Sequence, residues 1–279
     1  QAYSNIGDSL VKSKKEKEGI KYFEKCLKIN TNYAIGYLNL GNAYFKLGEV
    51  EKSLRYFNKA SKLDPNNSYI LSSKAAAMIE TDDELNALEV LKKAIGLDSF
   101  NATAYLNLGI IFKNQNLFDQ ALNMFDACIS SCKHSSYKNK LIASAYSNKG
   151  LCYLSLNKYD KLKENFLEAF KFDENKDLVS GFIYYSKLYC ADWENLEEYK
   201  RISLDKIEKG YRASSPFCSF SLTDDPSIQL EVAKMHCGFE NKENTLPYVK
   251  NNYINHLKHK KPRIAYLSYD FHDHATMHL

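Results

Sequence analysis

No apolar run in this chain approaches the roughly 18 residues that a membrane-spanning helix needs. Its first residues also lack the basic and apolar blocks of a secretory signal, so no membrane or export segment is read from it. Arginine is nearly missing, with only 4 among 38 basic residues. The net charge is +4, no basic block forms, and nothing here points to nucleic acid as a partner. Cysteine is too scattered for a disulfide framework: the 7 residues are odd in number and fall singly on apolar faces. Cys26 and Cys128 occupy small-residue positions of the repeat described next, as reduced core thiols of a cytosolic protein do. The chain opens on Gln1 and stops abruptly at Leu279, so it is expected to be a piece of something longer.

What is present is a period. Gly7, Gly41, Ala75 and Gly109 follow one another at 34 residues, and Gly150 comes after 41, one period plus a seven-residue insertion near 133–139. Phe23, Phe57, Leu91, Phe125 and Phe166 keep the same beat. So do Cys26, Ala60, Ala94, Cys128 and Ala169, while Tyr3, Tyr37, Leu71, Tyr105 and Tyr146 mark the start of each unit. A period of this length means one supersecondary unit stacked on copies of itself. The expected unit is a helix–turn–helix in which a small residue of the first helix lets the second approach. Asp64-Pro65 ends one second helix, because proline cannot continue it and restricts the residue before it. These residues resemble the tetratricopeptide repeat. The copy at 34–67 holds its Tyr, Leu-Gly, Tyr, Phe, Ala and Pro positions.

A stack of such units curls into a superhelix whose first helices line a concave face. The residue before each Leu-Gly position is Asn5, Asn39, Ser73, Asn107 and Asn148. One amide per repeat on one helical face would form a ladder able to donate to and accept from an extended peptide backbone. The same asparagines also suit a plain solvated or capping role, and Ser73 breaks the row. Spacing alone leaves both readings open.

After Asp177 the beat decays. A helix is expected over 178–188, another from about 194 to 209 ended by Gly210, and a loop over 213–217. Thr223 or an adjacent Asp then caps a helix with Pro226 in its first turn. Asp224 and Asp225 therefore read as cap acids and not as a catalytic pair. Arg263–Ser268 reads as a short buried strand that opens into a turn bearing His272, His274 and His278.

Taken in order, Cys190-Ala-Asp-Trp193, Ser215-Pro-Phe217, Leu222-Thr-Asp-Asp-Pro226 with Gln229-Leu230, and Arg263–Ser268 followed by Asp270–Leu279 resemble the bacterial branch of the protein O-GlcNAc transferases, with the plant SPINDLY proteins as relatives. That resemblance implies a repeat superhelix leading through a helical bridge into a GT-B catalytic region. It implies metal-independent, inverting transfer of N-acetylglucosamine from UDP-GlcNAc to Ser or Thr of proteins. It gives Asn5, Asn39, Asn107 and Asn148 a role in binding the acceptor polypeptide. The family's Asp-Phe-x-x-His pattern falls on Asp270, Phe271 and His274, which makes His274 the candidate catalytic residue; a role as base there is disputed. No cofactor is implied beyond the donor sugar nucleotide, and plant relatives use fucose instead.

Metal chemistry is not expected. His274 and His278 would share a helical face but lack further ligands, and Cys128 of the Cys128, Cys132 and His134 group is a repeat core position. The chain is thus expected to be all-α: a five-repeat array over 1–176, a helical bridge over 177–260, and the first strand of a truncated α/β domain over 261–279. The expected parent is a cytoplasmic glycosyltransferase, with this piece alone inactive for want of a nucleotide site. The alternative is a non-enzymatic peptide-binding scaffold.

Overall fold

The computed structural model describes residues 2–13, 15–132 and 138–240, with the backbone alone for 237–240. The expected strand at 263–268 and all three C-terminal histidines lie outside the described residues. So does most of the 133–139 insertion. Every described element is helical: α1 (Ala2–Lys12), α2 (Glu16–Ile29), α3 (Ala34–Lys46), α4 (Val50–Leu63), α5 (Ser68–Ile79), α6 (Glu84–Leu97), α7 (Ala102–Asn114), α8 (Phe118–Ser131), α9 (Lys138–Ser155), α10 (Tyr159–Phe172), α11 (Val179–Tyr189), α12 (Leu196–Glu208), α13 (Pro216–Leu222) and α14 (Pro226–Glu240).

The first ten helices are five antiparallel hairpins, α1–α2 through α9–α10, and in four of them the seam is a glycine facing a ring. A Cβ added at Gly7 would lie 2.6 Å from Phe23, at Gly41 2.5 Å from Phe57, at Gly109 2.5 Å from Phe125 and at Gly150 2.6 Å from Phe166. The four rings are almost fully buried, and burying a side chain of this size contributes roughly 1.5–3 kcal/mol. The third hairpin solves the same packing differently. Ala75 supplies a methyl group and Leu91 replaces the ring, both with no exposure.

The hairpin turns share a backbone device. Gly48, Asp82, Asn116 and Asn157 all have positive φ, between 55° and 77°. Only glycine adopts this conformation freely, and Asn and Asp tolerate it best among the rest. The amide that follows each of them reaches back five residues, as in Glu49 N to Tyr44 O at 3.0 Å and Leu117 N to Phe112 O at 2.8 Å. This bond satisfies a terminal carbonyl of the first helix and reverses the chain. Asn67 and Asn101 then cap the next hairpins, accepting from Ile70 N at 3.2 Å and Ala104 N at 3.0 Å.

Past the fifth hairpin the capping logic changes. Leu178, before α11, has φ +67° and offers no side-chain cap. The segment at 212–214 takes its place: Leu178 N donates to Arg212 O at 2.6 Å and Gly181 N to Ala213 O at 2.9 Å. A Cβ on Gly181 would sit 2.6 Å from Ala213 O, so this approach requires glycine. One expectation is corrected here. The loop predicted for 213–217 gives way at Ser215, whose Oγ accepts from Cys218 N at 3.3 Å, and Pro216 opens α13. Asp225 caps α14, its carboxylate accepting from Ser227 N at 2.8 Å, which agrees with the cap reading of this acid pair.

Candidate functional site

Odd helices pack on odd helices from one hairpin to the next: α1 on α3, α3 on α5, α5 on α7 and α7 on α9. Successive even helices have no comparable contact among the described residues. In a stack, the layer whose members touch is the inside of the curve, so α1, α3, α5, α7 and α9 form the inner face. The least buried side of α3 runs through Ile35, Asn39, Asn42 and Lys46, and that of α5 through Tyr69, Ser73, Ala76 and Glu80. The asparagine row therefore lies on the open side of the inner layer in α3. The same register passes through Ser73 in α5.

Most of these amides are already engaged with their own array. Asn39 Nδ2 donates to Ser4 Oγ at 3.2 Å, and Asn107 Nδ2 to the Ser72 carbonyl at 3.0 Å. Asn148 Oδ1 accepts from Lys113 Nζ at 2.8 Å, and its Nδ2 donates to Ser144 O at 2.9 Å. Each of the three links to the preceding repeat spans 35 residues, so the asparagines act as struts between neighbouring inner helices. Asn5, on the first helix, is exposed, Asn39 is half-buried and Asn107 is only 6% exposed. The most accessible of these three amides is thus Asn5, followed by Asn39.

Sequence reasoning passed over Lys113. Its ammonium is largely withdrawn from solvent, burial lowers its pKa, and the nearest partner is the neutral Asn148 amide. It is a cation on the inner layer that meets no carboxylate among the described residues. Beside it, burial pushes the Cys152 thiol up to about 11. Cys128 is likewise raised, by its hydrogen bond with Cys132 and by burial, so both remain protonated thiols at neutral pH. Among the described residues no group of three or more metal-ligating side chains forms, and no helix is long and apolar enough to cross a membrane.

The Cys190–Trp193 motif has a structural explanation. Asp192 receives Lys163 Nζ at 2.9 Å and Lys187 Nζ at 3.0 Å, which ties α10 to the end of α11. These two ammonium donors hold its carboxyl down at about 2. Lys187 is 5% exposed, so this contact neutralises a buried charge. Trp193 itself is 68% exposed.

Paired helices stacked in register define a helical-repeat protein. Sequence profiles of the tetratricopeptide repeat match residues 1–33, 34–67, 101–135 and 143–176, and the described chain is an all-helical tetratricopeptide-repeat superhelix. Among curated protein sequences none matches the chain. Solved structures share its fold. The Cut9–Hcn1 hetero-tetramer of the APC/C aligns with a TM-score of 0.63 at 15% identity over 84% of this chain. This chain spans 42% of the length of that match. PilW, a type IV pilus biogenesis factor, aligns at 0.59 with 13% identity, covering 72% of this chain and 90% of its own. PilF of Pseudomonas aeruginosa aligns at 0.56 with 17% identity, covering 79% and 97%. At these identities the likeness is one of fold.

Proposed function

We propose that the array is a protein-interaction scaffold whose inner face holds an extended segment of a partner protein. The observation that carries this reading is the continuous inner layer of odd helices. Its open side presents Ile35, Asn39 and Tyr69 in register, Tyr69 being 59% exposed on a helix otherwise packed into the stack. An exposed ring on the same face as the Asn39 amide favours a peptide: the ring covers apolar side chains and the amide bonds to the backbone. Lys113 adds a desolvated cation that would favour a carboxylate on the bound segment. Peptides selected from a random-sequence display library provide the test. Tyr69→Ala is expected to weaken their binding at least tenfold, while Leu85→Ala, at an exposed position of even helix α6, leaves it unchanged. Equal loss in both variants would refute the inner-face site.

A second reading rests on the residues from Cys190 onward that resemble protein O-GlcNAc transferases. In it, the inner face delivers an acceptor polypeptide, with Asn5, Asn39, Asn107 and Asn148 along its path, to a catalytic region entered at His274. A nucleotide sugar, UDP-GlcNAc or the fucose donor of the plant relatives, would be the second substrate. What supports it is sequence motif alone, since no nucleotide site lies among the described residues. The product of the gene's full reading frame, given radiolabelled UDP-GlcNAc and a protein acceptor, is expected to label Ser or Thr. His274→Ala is expected to abolish turnover and spare UDP binding. Absence of labelling with either donor leaves the scaffold reading standing alone.

A further inference from the structure

The outer side of the second hairpin carries a feature that the inner-face reading does not use. Lys52, Arg55, Lys59 and Lys62 recur every three or four residues along α4 and so fall on one side of that helix. With Tyr44 and Tyr56 they line an open cavity of about 620 Å³, and no carboxylate contributes to its wall. Lys52 is paired with Glu49. Arg55, Lys59 and Lys62 are exposed and meet no carboxylate among the described residues, although Glu51 lies one turn before Arg55. Like charges at this spacing destabilise a helix by a few tenths of a kcal/mol per pair.

The rings hold the cations in place. Tyr56 lies near-parallel to Tyr44, 5.4 Å away at 9°, and to Tyr37, 6.4 Å away at 19°. Lys59 Nζ lies 5.6 Å from the Tyr37 ring and 5.8 Å from that of Tyr56, and Lys52 Nζ lies 5.6 Å from Tyr44. The arrangement recurs one repeat earlier, where Tyr3 and Tyr22 are 6.3 Å apart and Lys25 lies 5.2 Å from Tyr22. It is lost one repeat later, where Glu89 and Val90 stand at the places of Arg55 and Tyr56. The third hairpin therefore lacks the guanidinium and the ring that Arg55 and Tyr56 supply in the second.

We infer that this pocket on the outer side of α4 is a second binding site, for an acidic segment of a partner protein rich in Glu and Asp. Charge complementarity selects an anion, and the pocket's details select carboxylates over a nucleic-acid strand. Tyr56 already has the Tyr44 and Tyr37 rings near-parallel to it and Lys59 beside it, which leaves less of its ring for stacking an unpaired base. Arg55 is the one guanidinium in its wall, so the pocket has few of the planar forks that grip a phosphate backbone.

Fluorescence anisotropy with labelled oligoglutamate, and with oligothymidylate of equal charge, tests the inference. Oligoglutamate is expected to bind saturably and more tightly than oligothymidylate, and to be released by raised salt. The Arg55→Ser/Lys59→Ser variant is expected to weaken it about tenfold, since two exposed ion pairs in the upper half of their usual range of strength amount to that. Both positions are exposed, so circular dichroism should show the fold intact. Lys92→Ser/Lys93→Ser, on the outer side of α6, is expected to change nothing. No saturable peptide binding, oligothymidylate binding as tightly, or equal loss in the α6 variant would each overturn the site.

Discussion

Replacing Gly41 by alanine puts a methyl group where the edge of Phe57 already sits, 2.5 Å from Cε1 and 2.7 Å from Cδ1. The ring is 1% exposed between two helices and has no free direction in which to yield. Overpacking of this kind costs about 2–3 kcal/mol. Alanine returns about 1 kcal/mol through its better helix propensity. The net loss for Gly41→Ala is thus about 1–2 kcal/mol. Phe57→Leu alone leaves a void against Gly41 and loses about 1–2 kcal/mol. The third hairpin shows that the two changes belong together, because Ala75 and Leu91 meet there with no exposure. The double variant Gly41→Ala/Phe57→Leu is therefore expected to lose less than about 1 kcal/mol, where independent effects would sum to about 3. Urea unfolding followed by far-ultraviolet circular dichroism measures the cycle. Hydrogen exchange of the α3 and α4 amides localises it, since repeat arrays open in local units. Additive losses, or a gain from Gly41→Ala alone, would refute the seam.

Four further outcomes follow from the geometry. Asp192, held at about 2, contributes stability that is complete above its unfolded value near 4 and is lost as pH falls toward 2. Asp192→Asn should flatten that part of the acid limb of a stability–pH curve and be more destabilising at neutral pH than Lys187→Met, which removes the buried charge with its partner contact. Lys113, whose pKa is lowered by burial, makes stability rise with pH between its folded value and 10.5. Lys113→Met should stabilise the chain at neutral pH, with a gain that shrinks as pH approaches 10.5 in thermal melts. Gly181→Ala drives a methyl onto the Ala213 carbonyl and should lower the melting temperature more than Gly96→Ala, whose added Cβ meets nothing within 4 Å. Ser215→Ala should remove about 1 kcal/mol of capping from α13, read as faster amide exchange at Cys218.

The hairpins were legible because glycine, phenylalanine and tyrosine recur at one spacing and each has a single packing job. The turn positions Gly48, Asp82, Asn116 and Asn157 keep that spacing too, yet three residue types share the job and the signal is diluted. The asparagine row was legible as a register but not as a set of struts. Its partners Ser4, Ser72 and Lys113 come from the preceding repeat, and the pairing depends on how one hairpin sits on the next. Lys113 escaped notice for the same reason: a lysine on a helix looks solvated until a neighbouring repeat covers it. Asp192 was visible only as part of a motif, because its role requires Lys163, 29 residues earlier, to arrive from α10. The helix at Pro216 is illegible in sequence because its seven residues are too few to show a period.

The central claim is that the inner layer of odd helices is the binding face. Hydrogen exchange of the array, free and saturated with a display-selected peptide, tests it most directly. The account predicts new protection concentrated on α3, α5 and α7, extending along the Asn39–Ser73 register. Protection confined to α4, α6 and α8 would contradict it.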